Sequence, residues 1–357
     1  MIAYKSKIKS IGFFLITAMI LIGVSISLFS CGSMNDEGKP VLDSEENLAV
    51  HFLDVGQADS TLLISGGEAM LVDAGNRDDD DFIVDYLKKQ GIDELKYIVF
   101  THPHEDHIGA GEAVLNNFTV NKVFMLDGYN DGIEGNLKKN IERQNIATEA
   151  PSPGEKIRLG ECEAEFLGPN KDYKDTNDNS ICLMVRHGEN SIMFTGDAGN
   201  SAERDIIENS GNIEADILHA GHHGSSTSNS YYFLRQVNPG YVVISCGKDN
   251  MYGHPHDEAL SRFNDLGAEI FRTDEQGTVI ALDDGKNITF NCKGKEADKP
   301  HMEDYQEANY IGNVNSKKYH LPDCGGLPKE ENRIYFMSIE NAEAAGYEPC
   351  GNCHPDN

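Results

Sequence analysis

From residue 48 onward the chain alternates short apolar runs with polar breaks. AVHFLDV, STLLIS, AMLVDAG, YIVFTH and KVFML have strand length, while DDDFIVDYLKKQGI and the stretch from Gly111 to Phe118 read as helices. That succession predicts a layered α/β domain whose ordered part begins near Leu48. The acidic run RDDDD at 77–81 stands directly before the first helical segment. It is read as capping and first-turn acids, where the helix dipole favours negative charge, rather than as a metal cluster. ICLMVRHGENSIMFTGD reads as two strands joined by a tight turn from His187 to Asn190, which puts His187 at an exposed hairpin tip.

The flanks have a different pattern. Lys5, Lys7 and Lys9 precede an apolar run from Ile11 to Phe29, followed by the small residues Ser30 to Ser33, as in an export signal. LFSC at 28–31 resembles the lipobox of bacterial lipoproteins, in which the signal, here residues 1–30, is removed and the cysteine, here Cys31, carries lipid. The run is also long enough to stay as an uncleaved anchor. Either reading places the rest of the chain outside the cytoplasm and on a membrane. Residues 31–47 are polar and aperiodic, a linker; 48–292 form the large domain; 293–306, charged and poor in apolar residues, form a second linker; and 307–357 form a separate module.

Length, 357 residues, agrees with one large domain and a small appendage. The 59 acidic residues against 30 Lys and Arg argue against a broad polyanion-binding surface, so a phosphate substrate would need local positive charge such as bound metal. Of eight cysteines, Cys162, Cys182, Cys246 and Cys292 stand singly in strand-like surroundings and are read as plain buried thiols.

The chemistry concentrates in THPHEDHIG at 101–109. A strand that ends here and enters a loop can turn His102 and His104 toward one cation and Asp106 and His107 toward another. Imidazole with carboxylate suits zinc, or manganese and iron at the oxygen-rich end. The same arrangement recurs: Asp73 ends AMLVD, Asp197 ends SIMFTGD, and His222 and His223 follow ADILHAG, each with glycine close by.

HFLDVGQADSTLL, LVDAGN, THPHEDHIG, NSICLMV, FTGD, GHHGSSTS and YGHPH, spread over residues 48–292, resemble the metallo-β-lactamase-fold hydrolases. Within these they most resemble the extracellular domain of ComEC-type bacterial competence proteins, implicated in processing DNA during uptake. The resemblance implies an αββα sandwich with a two-cation site, zinc or manganese, at one edge of its sheets. Carried over by position, His102, His104 and Asp197 would hold the first cation, and Asp106, His107, Asp197 and His223 the second, with Asp197 bridging. Asp73 would orient the histidine loop. Such a pair of cations activates a shared water and neutralises charge on a phosphoryl oxygen. His222, taken to face away from the ligand beside it, is a candidate to stabilise the transition-state oxygen or protonate the leaving group. Asp106, Asp73 and His256 complete the catalytic candidates. His256 or His254 is expected at the pocket rim, with a structural pair as the alternative, and Ser225 to Ser228 could contact phosphate or form an ordinary turn.

Two positions depart from the resembled pattern. Asn179 or Ser180 stands where many superfamily members place another histidine, which implies a first site completed by water or substrate and makes both residues substrate-binding candidates with Ser225 and His254. Ala58 replaces a glycine preferred in DVGQGD.

In the last module, Cys350 and Cys353 have C-x-x-C spacing, and His320 and Cys324 can supply two further ligands for a structural zinc; a Cys350–Cys353 disulfide is the alternative. The ligand spacing and SIENAEAAGYEPCGNC resemble the zinc-binding domain of the Ada DNA-repair protein, with His320 in place of the first cysteine. Metal binding is therefore expected and methyl transfer is not. Four Lys or Arg against eight Asp or Glu over 307–357 weaken the case for DNA contact there. The expected function is extracytoplasmic phosphodiester hydrolysis, with DNA as first substrate. The alternatives are a phosphodiesterase for small or cell-wall substrates such as phosphorylcholine esters, or a non-catalytic DNA- or wall-binding lipoprotein. No protein partner is inferable.

Overall fold

A computed structural model describes residues 47–126, 132–297 and 310–353, except 322, 323, 325, 330, 331 and 337. The expected signal segment, Cys31, nearly all of the first linker and residues 298–306 of the second lie outside the described residues.

The large domain is built on two mixed sheets. Its strands are β1 (Leu48–Phe52), β2 (Thr61–Ser65), β3 (Glu68–Val72), β4 (Glu94–Val99), β5 (Thr119–Phe124), β6 (Ala147–Glu149), β7 (Lys156–Leu159), β8 (Cys162–Gly168), β9 (Cys182–His187), β10 (Asn190–Phe194), β11 (Ile217–His219), β12 (Tyr241–Ile244), β13 (Glu269–Arg272), β14 (Val279–Asp283) and β15 (Ile288–Phe290). One sheet runs β15-β14-β1-β2-β3-β4-β5-β6 and the other β13-β12-β11-β10-β9-β8-β7. In the first, β3 to β6 are parallel; in the second, β10 to β13 are.

Both faces of each sheet are covered, which is why the strands read as nearly continuous apolar runs. Alternate residues separate the layers. Met70 and Val72 of β3 join Phe52, Val99 and Phe124 against Phe166, Leu183 and Phe194 of the other sheet. Ala69 and Leu71 face the opposite way, toward α1 (Asp80–Lys89), α3 (Gly111–Asn117) and α4 (Gly132–Gln144), with the one-turn α2 (Glu105–Ile108) between α1 and α3 in sequence. The second sheet buries Met184, Met193 and Leu218 under α5 (Asn200–Asn209), α6 (Tyr231–Val237) and α7 (Asp257–Leu266), and the short α8 (Thr273–Gln276) follows β13. The result is the expected αββα sandwich.

RDDDD caps a helix, as read: Arg77–Asp79 form a 3-10 turn leading into α1, and the Asp79 carboxylate accepts the Asn76 N–H at 2.8 Å. The β9–β10 hairpin also forms, but His187 is buried rather than exposed. The segment after β14 covers the tip, with Glu189 N–H donating to the Gly285 carbonyl, and His187 Nδ1 lies 3.1 Å from Asp283 Oδ2. Ala58 departs from the glycine of the resembled pattern without strain. Its backbone is outside the left-handed region and its methyl packs in the outer apolar layer. Cys162, Cys182 and Cys246 are buried and Cys292 is half-buried, all as free thiols. The start of the expected second linker stays on the large domain, where Lys295 pairs with Ile270.

The C-terminal module has a sheet of β16 (Tyr310–Asn313), β17 (Lys318–His320), β18 (Arg333–Phe336) and β19 (Glu348–Pro349) in the order β18-β16-β17-β19, with α9 (Ile339–Ala344) against it. Its core is small, centred on Tyr319, Ile334, Phe336, Ala342 and Tyr347. It rests on α7 through Asn341 Nδ2 donating to Asp265 Oδ2 at 2.7 Å and through Lys317 Nζ, 3.6 Å from Glu258 Oε1.

Candidate metal centre

Four strand ends deliver the site. Asp73 follows β3, residues 101–108 follow β4, Asp197 follows β10, and Gly221–Gly224 follow β11. Two glycines allow the loops to meet. A Cβ on Gly109 would stand 2.4 Å from the Asn76 and Arg77 backbone, and one on Gly196, which also has φ +50°, would stand 2.9 Å from Thr101 and Ser180. His222 and His223 both adopt left-handed backbone, φ 54° and 53°, and this turns consecutive imidazoles into one cleft where an extended chain would separate them.

Asp197 is the centre of the arrangement. Its Oδ2 lies 3.6 Å from His102 Nε2 and 3.4 Å from His222 Nε2, and its Oδ1 lies 3.2 Å from His107 Nε2 and 3.9 Å from His223 Nε2. His104 Nδ1 approaches His102 Nε2 at 3.0 Å, and Asp106 Oδ2 approaches His223 Nε2 at 3.3 Å. Within the two groups His102, His104, Asp197 and Asp106, His107, His223, the ligand atoms lie within 4.8 Å of one another.

The ligands are held from behind. Asp73 accepts the Thr101 N–H at 2.8 Å, the Thr101 hydroxyl at 2.7 Å and the His107 Nδ1 proton at 2.8 Å. His223 Nδ1 lies 3.1 Å from both the Ser245 carbonyl and Asp59 Oδ1. Each arrangement leaves Nε2 facing the centre. Burial alone would lower the pKa of His107 and His223. The carboxylates of Asp197 and Asp73 nevertheless hold His107 well above its usual value, and those of Asp59 and Asp106 raise His223 to about 10. These acids, Asp59, Asp73 and Asp197 buried and Asp106 half-buried, favour a positive charge at the point the ligand atoms surround. His107 Nε2 and Asp197 Oδ1 are buried without a hydrogen-bond partner, which fits a role as donors to cations.

The C-terminal module gathers His320, Cys324, Cys350 and Cys353 within 4.8 Å of one another. Leu321, Gly326 and Asn352 aim backbone N–H groups at the sulfurs of Cys353, Cys324 and Cys350, each at 3.4 Å, and His320 Nε2 is buried without a partner. Cys350 and Cys353 are free thiols. Three sulfurs and an imidazole fit a closed tetrahedral metal site.

Residues 53–248 match the Metallo-beta-lactamase superfamily. The chain belongs to that superfamily. Residues 296–356 match the metal binding domain of Ada. Among relatives, the chain is similar to ComE operon protein 3 of Bacillus subtilis, 26% identical over 291 residues, covering 76% of this chain and 36% of the relative. It is also similar to competence protein ComA of Neisseria gonorrhoeae, 30% identical over 244 residues, covering 68% and 33%. The chain thus spans about a third of the length of these relatives. A solved metallo-beta-lactamase fold protein, YhfI of Bacillus subtilis, is 16% identical with a TM-score of 0.46, covering 66% of this chain and 99% of that one.

A cleft of about 660 Å³ opens over the superfamily's site, and His104, Asp106, Asp197, His222, His223 and His254 line it. Several candidates fall elsewhere. Asn179 is buried, and its amide is spent on Tyr173 and on the Asp175 carbonyl. Ser180 is fully buried and accepts the Asp197 N–H at 3.0 Å, which braces that loop. Ser225 is buried and bonds to Thr227. None of the three lines the cleft, so the substrate-binding expectation is corrected for them. His256 is also outside the lining. Its Nδ1 accepts the Ser226 N–H at 3.0 Å and its Nε2 lies 3.2 Å from the Tyr252 carbonyl, so both nitrogens are engaged in holding loops. His222 faces Asp197 rather than away from it. Sequence reasoning missed Asp59, Thr101, Gln57 and Asn250. The first two act through other residues. Gln57 joins two loops by accepting the Gly247 N–H and donating to His254 Nδ1, and Asn250 shapes the loop leading to His254.

Proposed function

We propose that the chain is a metal-dependent phosphodiesterase that cleaves DNA outside the cytoplasm, carried there by its export signal and tethered through lipid on Cys31. The observation that carries the hydrolytic reading is Asp197, each of whose oxygens faces its own pair of imidazoles. Zinc or manganese held by His102, His104 and Asp197, and by Asp106, His107, Asp197 and His223, would supply Lewis acidity and a nucleophilic water near neutral pH. A third cation, zinc, would hold the C-terminal module together through His320, Cys324, Cys350 and Cys353.

The chain's own residues prepare that chemistry. Asp73 fixes the His107 proton on Nδ1, and the Ser245 carbonyl with Asp59 does the same for His223. His222, 3.4 Å from Asp197 Oδ2, would supply the first cation with the imidazole that Asn179 and Ser180 do not. Burial, followed by the neighbouring His256, lowers His254 to about 4, so its ring is neutral at physiological pH. Gln57 donates to Nδ1, so the ring proton sits on Nε2, a donor on the cleft wall suited to a phosphoryl oxygen. The cleft lining contains amides but neither Lys nor Arg, so phosphate charge is left to the cations. The competence proteins among the relatives support DNA as substrate.

The test is a substrate panel. Purified protein with added manganese or zinc is expected to cut single- or double-stranded DNA and a bis-aryl phosphodiester, and His104→Ala to abolish both. Turnover of the small diester without DNA cleavage would replace DNA by a small or wall-bound substrate. Full metal loading with no diester turnover would leave a binding protein.

A further inference from the structure

Beside the metal cleft lies a second cavity, of about 250 Å³, at the junction of the two domains. Arg204 and Tyr232 of the large domain wall it with Arg333 and Tyr335 of β18, and Asn200 and Ser230 are at its edge. The two cavities flank one loop. The Thr227 hydroxyl is 3.2 Å from Nδ1 of His222 in the cleft wall, and the Thr227 carbonyl accepts the N–H of Asn200 in the cavity wall at 3.3 Å.

Its chemistry contrasts with the rest of the surface. The chain carries a net charge of -29, and the cleft has neither Lys nor Arg in its lining, yet this cavity brings together two guanidinium groups from different domains. Glu208, one helical turn beyond Arg204, also lines the cavity. Each guanidinium has five donors, so the bond from Arg333 Nε to the Pro328 carbonyl is compatible with further contacts. The described residues expose four large hydrophobic side chains: Phe82, Tyr232, Met251 and Tyr252. Met251 and Tyr252 stand at the mouth of the cleft and Tyr232, 44% exposed, in the second cavity. The cavity is smaller than the roughly 300–1,000 Å³ usual for a complete small ligand, so it suits one portion of a longer chain. Arginine for phosphate and an exposed aromatic ring for a base is the combination used on single strands.

We propose that this interdomain cavity is a strand-binding subsite, taking a phosphate of single-stranded nucleic acid on Arg204 and Arg333 and an adjacent base on Tyr232. The scissile diester lies across Thr227 in the metal cleft. The C-terminal module thereby contributes to substrate capture through Arg333. This rests on the nucleic-acid reading above and adds a dependence on strand length.

The test uses the full chain and a fluorescein-labelled twelve-residue oligothymidylate. Binding is followed by anisotropy at several salt concentrations, with bis-(p-nitrophenyl) phosphate turnover in manganese measured in parallel. Tyr232→Ala and Arg333→Glu are each expected to weaken oligonucleotide binding about tenfold, Arg333→Lys to restore part of it, and Arg333→Glu to flatten the salt dependence. Small-diester turnover should stay within about twofold. Unchanged oligonucleotide affinity in both variants would overturn the subsite, as would a duplex competing as well as the single strand. If wild-type protein turns over neither substrate, the hydrolase reading fails, while the binding measurement still decides the subsite.

Discussion

Asp73→Asn isolates the control of ligand geometry from the ligands themselves. Asparagine is nearly isosteric and accepts left-handed backbone, so φ +58° at this position is retained. The fixed Thr101 N–H demands an oxygen at the position of Oδ1, and this forces the new NH2 group to where Oδ2 now meets Thr101 Oγ1 and His107 Nδ1. Two donors would then face each other unless His107 moves its proton to Nε2, the atom directed at Asp197. Proton and cation compete for that lone pair. Loss of such an orienting partner typically lowers metal affinity about 10- to 100-fold, or roughly 1.4–2.8 kcal/mol. Metal-free stability should change less. Burial already pushes the Asp73 carboxyl above its usual range, so the substitution also relieves a desolvation cost. Competition with a chromophoric chelator for zinc, with thermal unfolding of the metal-free protein alongside, reads both quantities. Wild-type affinity for both cations in the variant would refute the tautomer argument.

The remaining predictions address other parts of the molecule. His222→Asn, which suits the left-handed backbone, is expected to reduce metal content from two toward one ion in the cleft and diester turnover at least about 100-fold, measured by elemental analysis and a rate assay. Cys350→Ser should remove zinc from the C-terminal module, where binding and folding are coupled, making it protease-sensitive while the large domain retains small-diester turnover. Glu203 is buried, accepts the Ser230 N–H at 3.0 Å and bonds to Asn229, and is raised by burial from 4.5 to about 7. The protonated form favours the folded state, so its contribution is complete below about pH 4.5 and is lost as pH rises through 7, a change on the order of 3 kcal/mol. Urea unfolding across that range should show this fall in wild type relative to Glu203→Gln; parallel profiles would contradict it.

The layers were legible because the central strands, such as β1 and β9, are buried on both faces and the longer helices on one, so the apolar runs separate them. The clustering of candidate metal-holding groups was legible because a strand end compresses four of them into residues 102–107, and Asp197 and His223 adjoin glycines that the loops require for close approach. Side-chain direction was not legible. The backbone state of His222 decides whether its ring faces Asp197, and φ 54° on a histidine follows from loop closure, with Gly221 N–H bonded to Asn229 Oδ1, rather than from local preference. Burial defeated the reading of Asn179, Ser180 and Ser225, since a polar residue beside a ligand can brace a loop as readily as meet substrate. His187 was misplaced for a related reason: a two-residue turn predicts exposure only if nothing later in the chain folds over it, and the residues after β14 do.

Net acidity and phosphate chemistry are reconciled by where the acids are placed. Asp59, Asp73, Asp106 and Asp197 surround the imidazoles, and two of them, Asp59 and Asp73, are buried and reach the centre through His223 and through His107 and Thr101. Their charge favours cations in the centre, and cations held there would present positive charge to the cleft. Under the proposed function, a diester would meet a locally positive site on a protein that is acidic overall, and short substrates would need no further attraction. A long strand would, because its flanking phosphates would extend past the cations onto acidic surface. The proposed subsite across Thr227, lined by Arg204 and Arg333, would supply that attraction. Raising ionic strength should therefore weaken oligonucleotide binding while leaving small-diester turnover nearly constant, a divergence that neither the net charge nor the metal centre alone would produce.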